Sequence, residues 1–421
     1  MGEIIPPLAG MPQGQGCGPL LCIGSGAVSP LKQQIFEYVR SRGQAARADV
    51  TDALGISGGS VTTLTAELIT DGFLREIKGP AREHARGRPR VALEVVPETA
   101  FVIGIKLAFN RHSAVLTDFS GALVGEAYLP AGNARRRVQE VVNEIFELID
   151  VLLKKTKKSW TQIKAVGVGM PGMIDHESGV IHWSPMLEDP EVGLSAELEK
   201  RFKVQVAVDN DANVLTLAEL WFGDGRAITD FAVVTVEAGV GMGLVLGNQI
   251  YRGAHGVGLE LGHVKVELDG ALCQCGRRGC LEAYVADYAL VREASVALGP
   301  DSASTDEAPE VLNKLYALAQ SGHKPSQAVF EQSTRYLSLG LSNVIQLFDP
   351  EMIVLSGTRV QQGFLRAEDL VSKTRALTLD DDRRACRIVV NKWDGLIWAR
   401  GASALALSSV TSDVLSGVHA A

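Results

Sequence analysis

The spacing of apolar residues changes twice along the 421-residue chain. Residues 1–28 are rich in Gly and Pro and show no regular apolar spacing, which predicts a disordered tail. Residues 29–96 carry apolar residues at helical intervals and form a short module. Over residues 97–421, short apolar runs alternate with helical stretches, as in α/β proteins. The pattern therefore predicts a tail, a small helical module and a large α/β domain.

The module at 29–96 has the element order of a winged helix-turn-helix. A first helix is predicted after Ser29-Pro30, which supply a cap and a first-turn proline, with an apolar face of Leu31, Ile35 and Val39. A second helix fits Ala46–Leu54, and Ser57 caps a third that runs to about Thr70. Residues 71–74 then turn into a β-wing.

The third predicted helix has the composition of a DNA recognition helix. It is predicted to bury Val61, Leu64 and Leu68 and to expose Ser60, Thr62, Thr63 and Thr65. Small polar residues near a helix N-terminus suit the major groove, where bulky groups would block approach. Ser60, Thr62 and Thr63 are therefore the candidates for reading base edges. The alternative is a small helical module that docks another protein.

Positive charge is concentrated in the predicted wing. Between Gly72 and Ala92 there are six basic and two acidic residues, a net charge of +4 in a chain of net charge −8. Arg86, Arg88 and Arg90 alternate with Gly and Pro, as in an extended segment that lies in an AT-rich minor groove. Following a helical module, they favour double-stranded DNA as a partner. A solvated linker is the alternative for the arginines.

The composition of the whole chain is that of an ordinary globular protein. Hydrophobic residues make up 46% and charged residues 21%, and no apolar run has the length of a membrane span. The N-terminal region lacks the basic and long apolar stretches of a secretion signal. We therefore expect no membrane association and a reducing, cytoplasmic location, where thiols serve as metal ligands.

Three thiols and one imidazole lie within eighteen residues of one another, at His263, Cys273, Cys275 and Cys280. This is the ligand set of a closed, tetrahedral structural zinc site. Glycines between the last two cysteines let the loop turn back on itself. Three small buried core residues beside a surface histidine are the alternative. The other three cysteines are scattered without ligand spacing, so the cluster predicts zinc as a cofactor.

The segment from Glu260 to Glu282, which contains this cluster, resembles the ROK family of bacterial sugar kinases and sugar-responsive repressors. The Asp-Asn-Asp-Ala-Asn motif at 209–213 and the Gly-Met-Pro-Gly stretch at 169–172 resemble that family as well. Its repressors carry a winged helix-turn-helix that ends in a linker like Gly87-Arg88-Pro89. The resemblance covers nearly the whole chain from residue 29.

The resemblance implies a two-lobed, actin/hexokinase-like sugar domain behind the DNA-binding module. It also implies that the sugar is bound by Asn210, Asp211, Glu260, His263 and Glu282. The chemistry agrees, because a polyol needs several carboxylate and amide oxygens that accept from its hydroxyls at once. A histidine bound to zinc through one ring nitrogen is a rigid contact. In the kinases, the residue that matches Asp211 takes the proton from the attacking hydroxyl.

The chain departs from the family's kinases at all three loops that hold ATP. The first kinase loop reads GIDIGGTK, and here Lys106, Ala108, Phe109 and Asn110 replace its aspartate, two glycines and threonine. The second begins with Glu237, which would repel phosphates, and the third reads Ser356-Gly357-Thr358. Glycines are needed there because the backbone approaches phosphate oxygens closely. The changes predict that ATP is not bound and that Asp211 remains only as a sugar ligand.

The sequence thus predicts a sugar-responsive transcriptional regulator, a repressor of carbohydrate genes, and not an enzyme. Sugar would favour one arrangement of the lobes and change how two DNA-reading modules are spaced. Reading a pseudo-palindromic operator needs two such modules, so we expect a homodimer or homotetramer. Two alternatives stay open: an active sugar kinase that also binds DNA, and a regulator controlled by a protein partner. The sequence identifies neither the sugar nor its effect on DNA binding.

Overall fold

The computed structural model describes residues 16–20, 29–78, 91–299, 308–357, 367–379, 385–391 and 395–415. The described elements form a small N-terminal module and two larger lobes, each lobe built on a five-stranded sheet. Separate apolar cores lie in the two lobes, as expected for an α/β protein of this length. In the part of the chain that the structure describes, no helix is both long enough and apolar enough to span a bilayer.

The N-terminal module has three helices followed by a β-hairpin, which is the winged helix-turn-helix arrangement. Its helices are α1 (Leu31–Arg42), α2 (Arg47–Leu54) and α3 (Gly58–Thr70). Its antiparallel sheet has the order β1-β3-β2, with β1 (Gln44–Ala46), β2 (Leu74–Lys78) and β3 (Val91–Val95).

Two helix boundaries differ from those predicted. Helix α1 begins at Leu31 with Pro30 as N-cap and no side-chain cap, and Ala46 belongs to a strand. Ser57 caps α3 as predicted, because its Oγ accepts the amide hydrogen of Ser60 at 3.1 Å.

One side chain on α3 was assigned to the wrong face. Thr65 is fully buried, where exposure was predicted. It follows Val61 by four residues and precedes Leu68 by three, so helical geometry places all three on the core side. The Arg47 side chain donates to the Thr65 hydroxyl at 2.9 Å and so compensates for its burial.

The first lobe has the strand order β11-β7-β4-β5-β6. The strands are β4 (Phe101–Lys106), β5 (Arg111–Asp118), β6 (Leu123–Pro130), β7 (Ile163–Met170) and β11 (Gln205–Asn210). A smaller sheet contains β8 (Met173–Asp175), β9 (Val180–Trp183) and β10 (Val192–Gly193). Helices α4 (Val138–Thr156) and α5 (Leu194–Phe202) complete this lobe.

The second lobe repeats the topology of the first. Its sheet order is β14-β13-β12-β15-β16, again three antiparallel strands in a meander and two added in parallel. The strands are β12 (Phe231–Val236), β13 (Val240–Leu246), β14 (Gln249–Tyr251), β15 (Met352–Ser356) and β16 (Arg387–Val390). The helices are α7 (Glu282–Val285), α8 (Asp287–Leu298), α9 (Ala308–Gln320), α10 (Lys324–Phe348) and α11 (Ala367–Ala376). The duplicated sheet confirms the predicted two-lobed architecture.

Two helices pack against each other at the centre of the molecule, α6 (Asp211–Phe222) and α12 (Ile397–Leu415). They approach so closely that a Cβ on Gly401 would overlap the carbonyl oxygen of Val214. Helix α12 also lies across β4 and β7 of the first lobe, and helix α6 packs against β13 of the second. These helices therefore join the two lobes.

Residues 16–20 correct the prediction of a disordered tail over residues 1–28. They lie between α1 and the large domain, and Cys17 is buried. Main-chain hydrogen bonds join Cys17 to Arg40 at 3.1 Å and Gly18 to Trp221 at 2.9 Å. Composition alone could not predict this order, because the partners are main-chain groups distant in sequence. The rest of the predicted tail, residues 1–15 and 21–28, lies outside the described residues.

Candidate functional site

The four predicted metal ligands come together in one cluster. The ligand atoms of His263, Cys273, Cys275 and Cys280 all lie within 4.8 Å of one another. The Cys273 Sγ is 3.7 Å from the His263 Nδ1, and the Cys275 Sγ is 3.7 Å from the Cys280 Sγ. Such separations suit four donors around one ion at metal–ligand distances of about 2.0–2.3 Å.

Short-range hydrogen bonds hold the loop that carries the cysteines. Isolated β-bridges pair Lys265 with Cys280 and Leu272 with Arg278. Gly279 has a positive φ of 74°, and a Cβ there would overlap the carbonyl oxygen of Glu267. A glycine is therefore required at the point where the loop turns back toward the first cysteine.

The donor set fits a metal of the zinc type. Thiolate and imidazole are the preferred ligands of zinc. Burial raises the pKa of Cys273 to about 12, so its thiol is protonated at neutral pH unless a cation favours the thiolate. The Lys265 Nζ lies 2.9 Å from the Cys280 Sγ and is a second source of positive charge. The cluster can hold a metal ion, and binding would release the thiol protons.

Two carboxylates lie beside the cluster. Glu282 Oε1 is 3.6 Å from the Cys273 Sγ and 3.5 Å from the Tyr288 hydroxyl, and Oε2 accepts the Val240 amide hydrogen at 3.2 Å. Burial raises the pKa of Glu260, His263 lowers it, and Glu282 and Asp211 raise it. These effects indicate that the Glu260 carboxylate lies close to those of Glu282 and Asp211.

The Asp-Asn-Asp-Ala-Asn motif stands where β11 ends and α6 begins. Asn210 caps α6 by accepting the Ala212 amide hydrogen, and its Nδ2 donates to the Gly172 carbonyl at 2.6 Å. Asp209 is fully buried, and its Oδ2 accepts from Arg252, which follows the second lobe's edge strand, at 2.7 and 2.8 Å. The motif thus fixes the start of α6 between the two lobes.

Lys106 pairs with Asp211, a contact that the sequence reasoning missed. The Lys106 Nζ lies 2.7 Å from the Asp211 Oδ2, and only 13% of the lysine side chain is exposed. The same ammonium lies 5.8 Å from the ring centroid of Trp398, in the first turn of α12. The ion pair occupies one of the two Asp211 carboxylate oxygens. The sequence contains both the lysine and the aspartate, but it does not show that they lie close together in the fold.

The segments that match the kinases' nucleotide loops are packed against the rest of the chain. Phe109 packs against the core of the first lobe, and the Ala108 amide donates to the His112 Nδ1 at 3.2 Å. A Cβ on Gly357 would lie 3.1 Å from the Cγ of Glu237, so the second and third loops adjoin. Thr358 lies outside the described residues.

The candidate DNA-reading residues lie on α3. Thr62 and Thr63 are exposed, and Ser60 is half-buried near the N-terminus of the helix. Thr62 also donates to the Gly58 carbonyl at 2.8 Å, within the same helix. The candidate minor-groove residues Arg86, Arg88 and Arg90 lie outside the described residues, between β2 and β3.

A sequence model of the ROK family matches residues 102–409. The chain is 28% identical to the xylose repressor of Caldicellulosiruptor bescii, over 77% of this chain and 82% of that protein. It is 29% identical to the DNA-binding transcriptional dual regulator NagC of Escherichia coli, over 82% of this chain and 84% of that protein.

Solved structures share the fold. A ROK family transcriptional regulator, described as a homologue of the E. coli MLC protein, superposes with a TM-score of 0.76 at 22% identity. The superposition covers 91% of this chain and 96% of the regulator's chain. A ROK glucokinase from Streptomyces griseus, solved with glucose and an ATP analogue, gives a TM-score of 0.63 at 25% identity. That match covers 73% of this chain and 100% of the kinase. The kinase therefore matches a smaller part of this chain than the transcriptional regulator does.

Proposed function

The chain belongs to the ROK family, and we propose on that basis that it is a sugar-responsive, DNA-binding transcriptional regulator. The relatives named above as a xylose repressor and as NagC support control of carbohydrate genes, with repression as the mode of action. The small-molecule effector is a sugar bound in the cleft between the lobes, and the macromolecular partner is double-stranded operator DNA.

One observation carries this proposal: a single helix runs from the carboxylate cluster to the DNA-binding module. Helix α6 begins at Asp211, beside Lys106, and ends at Phe222. Its Trp221 lies under the guanidinium of Arg40 in α1, 4.6 Å from the ring centroid. A rise of 1.5 Å per residue separates Asp211 from Trp221 by about 15 Å. A change at the sugar site has a short and rigid route to the module.

Within this proposal the sugar contacts are Asn210, Asp211, Glu260, His263 and Glu282. The side-chain oxygens of Asn210, Asp211 and Glu282, which are half-buried, and of Glu260, which is exposed, accept from hydroxyl groups. His263 is held by zinc together with Cys273, Cys275 and Cys280. Ser60, Thr62 and Thr63 read base edges, and Arg86, Arg88 and Arg90 contact phosphates and the minor groove. Each of these roles is supported by residue type and position.

The proposal assigns no catalytic role to Asp211. Lys106 occupies one of the Asp211 carboxylate oxygens, and Phe109 and Glu237 oppose nucleotide binding by residue type. The aspartate instead offers an oxygen to the sugar. Two copies of the module are needed for a pseudo-palindromic operator, so the acting species is a homodimer or a homotetramer.

The experiment that tests the function has two steps. Duplex DNA is selected from a random library by the intact protein, and its affinity is then measured with and without sugars. Those sugars come from a thermal-shift screen of common monosaccharides and phosphosugars. We expect at least one sugar to raise the melting temperature and to change DNA affinity, since the two equilibria are linked. Selection of no sequence, or a sugar with no effect on DNA affinity, would contradict the function.

A protein effector is the second candidate, because the metal-binding loop exposes apolar side chains. Leu268 is 81% exposed and Leu272 is 56% exposed, and both lie between the metal ligands His263 and Cys273. Exposed leucines on a rigid loop suit contact with another protein. Calorimetry with the sugars of the screen separates the candidates: direct sugar binding favours a sugar effector, and its absence favours the protein.

A further inference from the structure

Residues 16–20 tie the DNA-binding module to the large domain, and we name this segment the strap. Its main chain bonds to both sides. The Cys17 amide donates to the Arg40 carbonyl at 3.1 Å in α1, and the Gly18 amide donates to the Trp221 carbonyl at 2.9 Å in α6. The Leu20 amide donates to the Arg226 carbonyl at 2.7 Å. A five-residue segment thus bridges elements that are otherwise far apart in sequence.

The strap fits closely into the groove that it occupies. Cys17 is buried, and its thiol lies 3.2 Å from the Ser120 carbonyl in the turn after β5. A Cβ on Gly16 would overlap the Arg40 carbonyl and the Gly43 amide nitrogen. Only glycine can lie at position 16 without moving α1 or the strap.

Two buried arginines complete the contact between module and domain. Arg40 is 2% exposed and donates to the Thr411 hydroxyl of α12 at 2.8 Å. Arg226 is 5% exposed and donates to the Gly18 carbonyl at 2.9 Å and to the Ser41 carbonyl. Within the described residues, neither guanidinium has a carboxylate within 4.0 Å. Burying a charge without an opposite charge is costly, so the two guanidiniums offset part of the stability that the contact gains from apolar packing such as Phe36 on Phe119.

From these contacts we propose that the strap is a regulatory clamp that holds the DNA-binding module in one orientation on the large domain. The strap bonds to α6 and to Arg40, and Arg40 in turn donates to Thr411 of α12. These two helices begin beside Asp211 and Lys106. A contact of modest stability at that place can be released by a small shift of either helix, as a switch requires. The consequence for DNA binding rests on the proposed function, but the orientation of the module does not.

Orientation is tested first, by distance measurement in the full-length protein. Spin labels are attached through ketone-bearing amino acids at the exposed positions Asp52 and Glu147, which avoids the six cysteines. We compare the intact chain with three variants: one lacking residues 2–15, one lacking residues 2–20, and the full-length Gly16→Val. The first variant keeps the strap and is the matched control for the second.

We expect one narrow distance distribution for the intact chain and for the variant lacking residues 2–15. Loss of residues 2–20, and Gly16→Val, should each broaden the distribution at least twofold, because the module is then free to reorient. Gly16→Val keeps the chain length and decides the question if the shorter chain does not fold. A distribution that stays narrow in a folded variant without a seated strap would overturn the clamp.

DNA affinity forms the second arm. The probes are duplexes carrying two half-sites selected by the intact protein, with their centres at the selected spacing or shifted by about half a helical turn, roughly 5 base pairs. The intact chain should prefer the selected spacing by at least tenfold, and the chain without residues 2–20 by less than twofold. Retained preference in that chain contradicts the clamp. If the intact protein selects no DNA, the proposed function fails while the distance measurement still judges the clamp.

Discussion

The proposed sugar cleft and the proposed DNA-reading face are both polar, but their polar groups are held in opposite ways. In the cleft, Lys106 and Asp211 are paired, and the Asn210 amide is bonded to the Gly172 carbonyl. On α3, by contrast, Thr62 and Thr63 are exposed, and Thr62 bonds only within its own helix. A pocket for a small polyol gains from groups that are fixed in advance, whereas a duplex must approach an open surface.

This difference predicts that the two functions can be separated by mutation. Changes in the cleft should alter the response to sugar and leave DNA affinity without sugar intact. Changes in the module should alter DNA affinity and leave sugar affinity intact. A substitution that damages both functions should be found at the contact between module and domain, or in the metal cluster if that cluster supports the whole cleft.

The largest effect is expected from loss of the metal. The intact protein should contain one zinc per chain, and Cys275→Ser should abolish both zinc content and sugar response. Structural zinc contributes roughly 10–16 kcal/mol in small zinc-binding peptides, so loss of one ligand removes most of the binding. Metal analysis and calorimetry measure the two outcomes.

The control for Cys275→Ser is Cys386→Ser, at a buried cysteine outside the cluster. It should keep its zinc. Normal sugar binding by a protein that is completely free of zinc would show that the cluster does not shape the cleft.

A smaller effect, confined to the cleft, is expected from Asp211→Ala. Removal of a charged hydrogen-bond partner costs about 1.5–3 kcal/mol, so sugar affinity should fall by roughly ten- to a hundredfold. DNA affinity without sugar should be unchanged. Asp150→Ala, at an exposed aspartate on α4 that pairs with Lys154, removes the same group from the surface and should leave sugar affinity unchanged.

The substitution also leaves Lys106 without its partner. The double variant Asp211→Ala/Lys106→Ala separates the two contributions, because it removes the unpaired ammonium as well. If the single variant binds sugar as the intact protein does, the pocket lies elsewhere in the molecule.

The cleft was the easier of the two regions to predict from the sequence. Metal ligands and their turn glycines lie within eighteen residues, so spacing alone predicted that His263, Cys273, Cys275 and Cys280 would meet. The ion pair between Lys106 and Asp211 was not predicted, because 105 residues separate its members and only the fold joins them. Lys106 and Asp211 were each interpreted separately.

In the module, helix positions were predicted well and side-chain environment less well. Thr65 was placed on the exposed face for its polarity, although its spacing from Val61 and Leu68 puts it in the core. Arg47, from the neighbouring helix, makes that burial possible. The strap could not be predicted, since residues 16–20 have neither periodicity nor a motif. Tertiary hydrogen bonds and the burial of Cys17 order them.

A more modest effect is expected from Arg88→Ala in the module. This residue should contact phosphates and the minor groove, so its loss should weaken binding to most operators and reduce the salt slope by about one. Preference for AT-rich flanks should also fall, because a narrow A-tract groove attracts inserted arginine. Operator affinity is measured across a salt series with AT-rich and GC-rich flanks, and sugar affinity should not change.

The matched control is Arg137→Ala, at an arginine on the large domain whose side chain is 78% exposed. It should leave the salt slope unaltered. If Arg88→Ala behaves in the same way, these arginines are only a solvated linker, and base reading by Thr62 and Thr63 would have to act without a minor-groove contact.

The smallest expected effect is none at all: the protein should not phosphorylate sugars. A coupled assay for ADP release across hexoses, hexosamines and pentoses should stay at background. Lys106→Asp, which restores the residue found in the kinases, should not create activity. Phe109 would still stand where the kinases have glycine, and Glu237 would still repel phosphates. Turnover of any sugar by the intact protein would mean that the cleft is catalytic and that Asp211 acts as a base despite its lysine. The cleft would then be an enzyme's active site attached to a DNA-binding module, and not a site that only senses sugar.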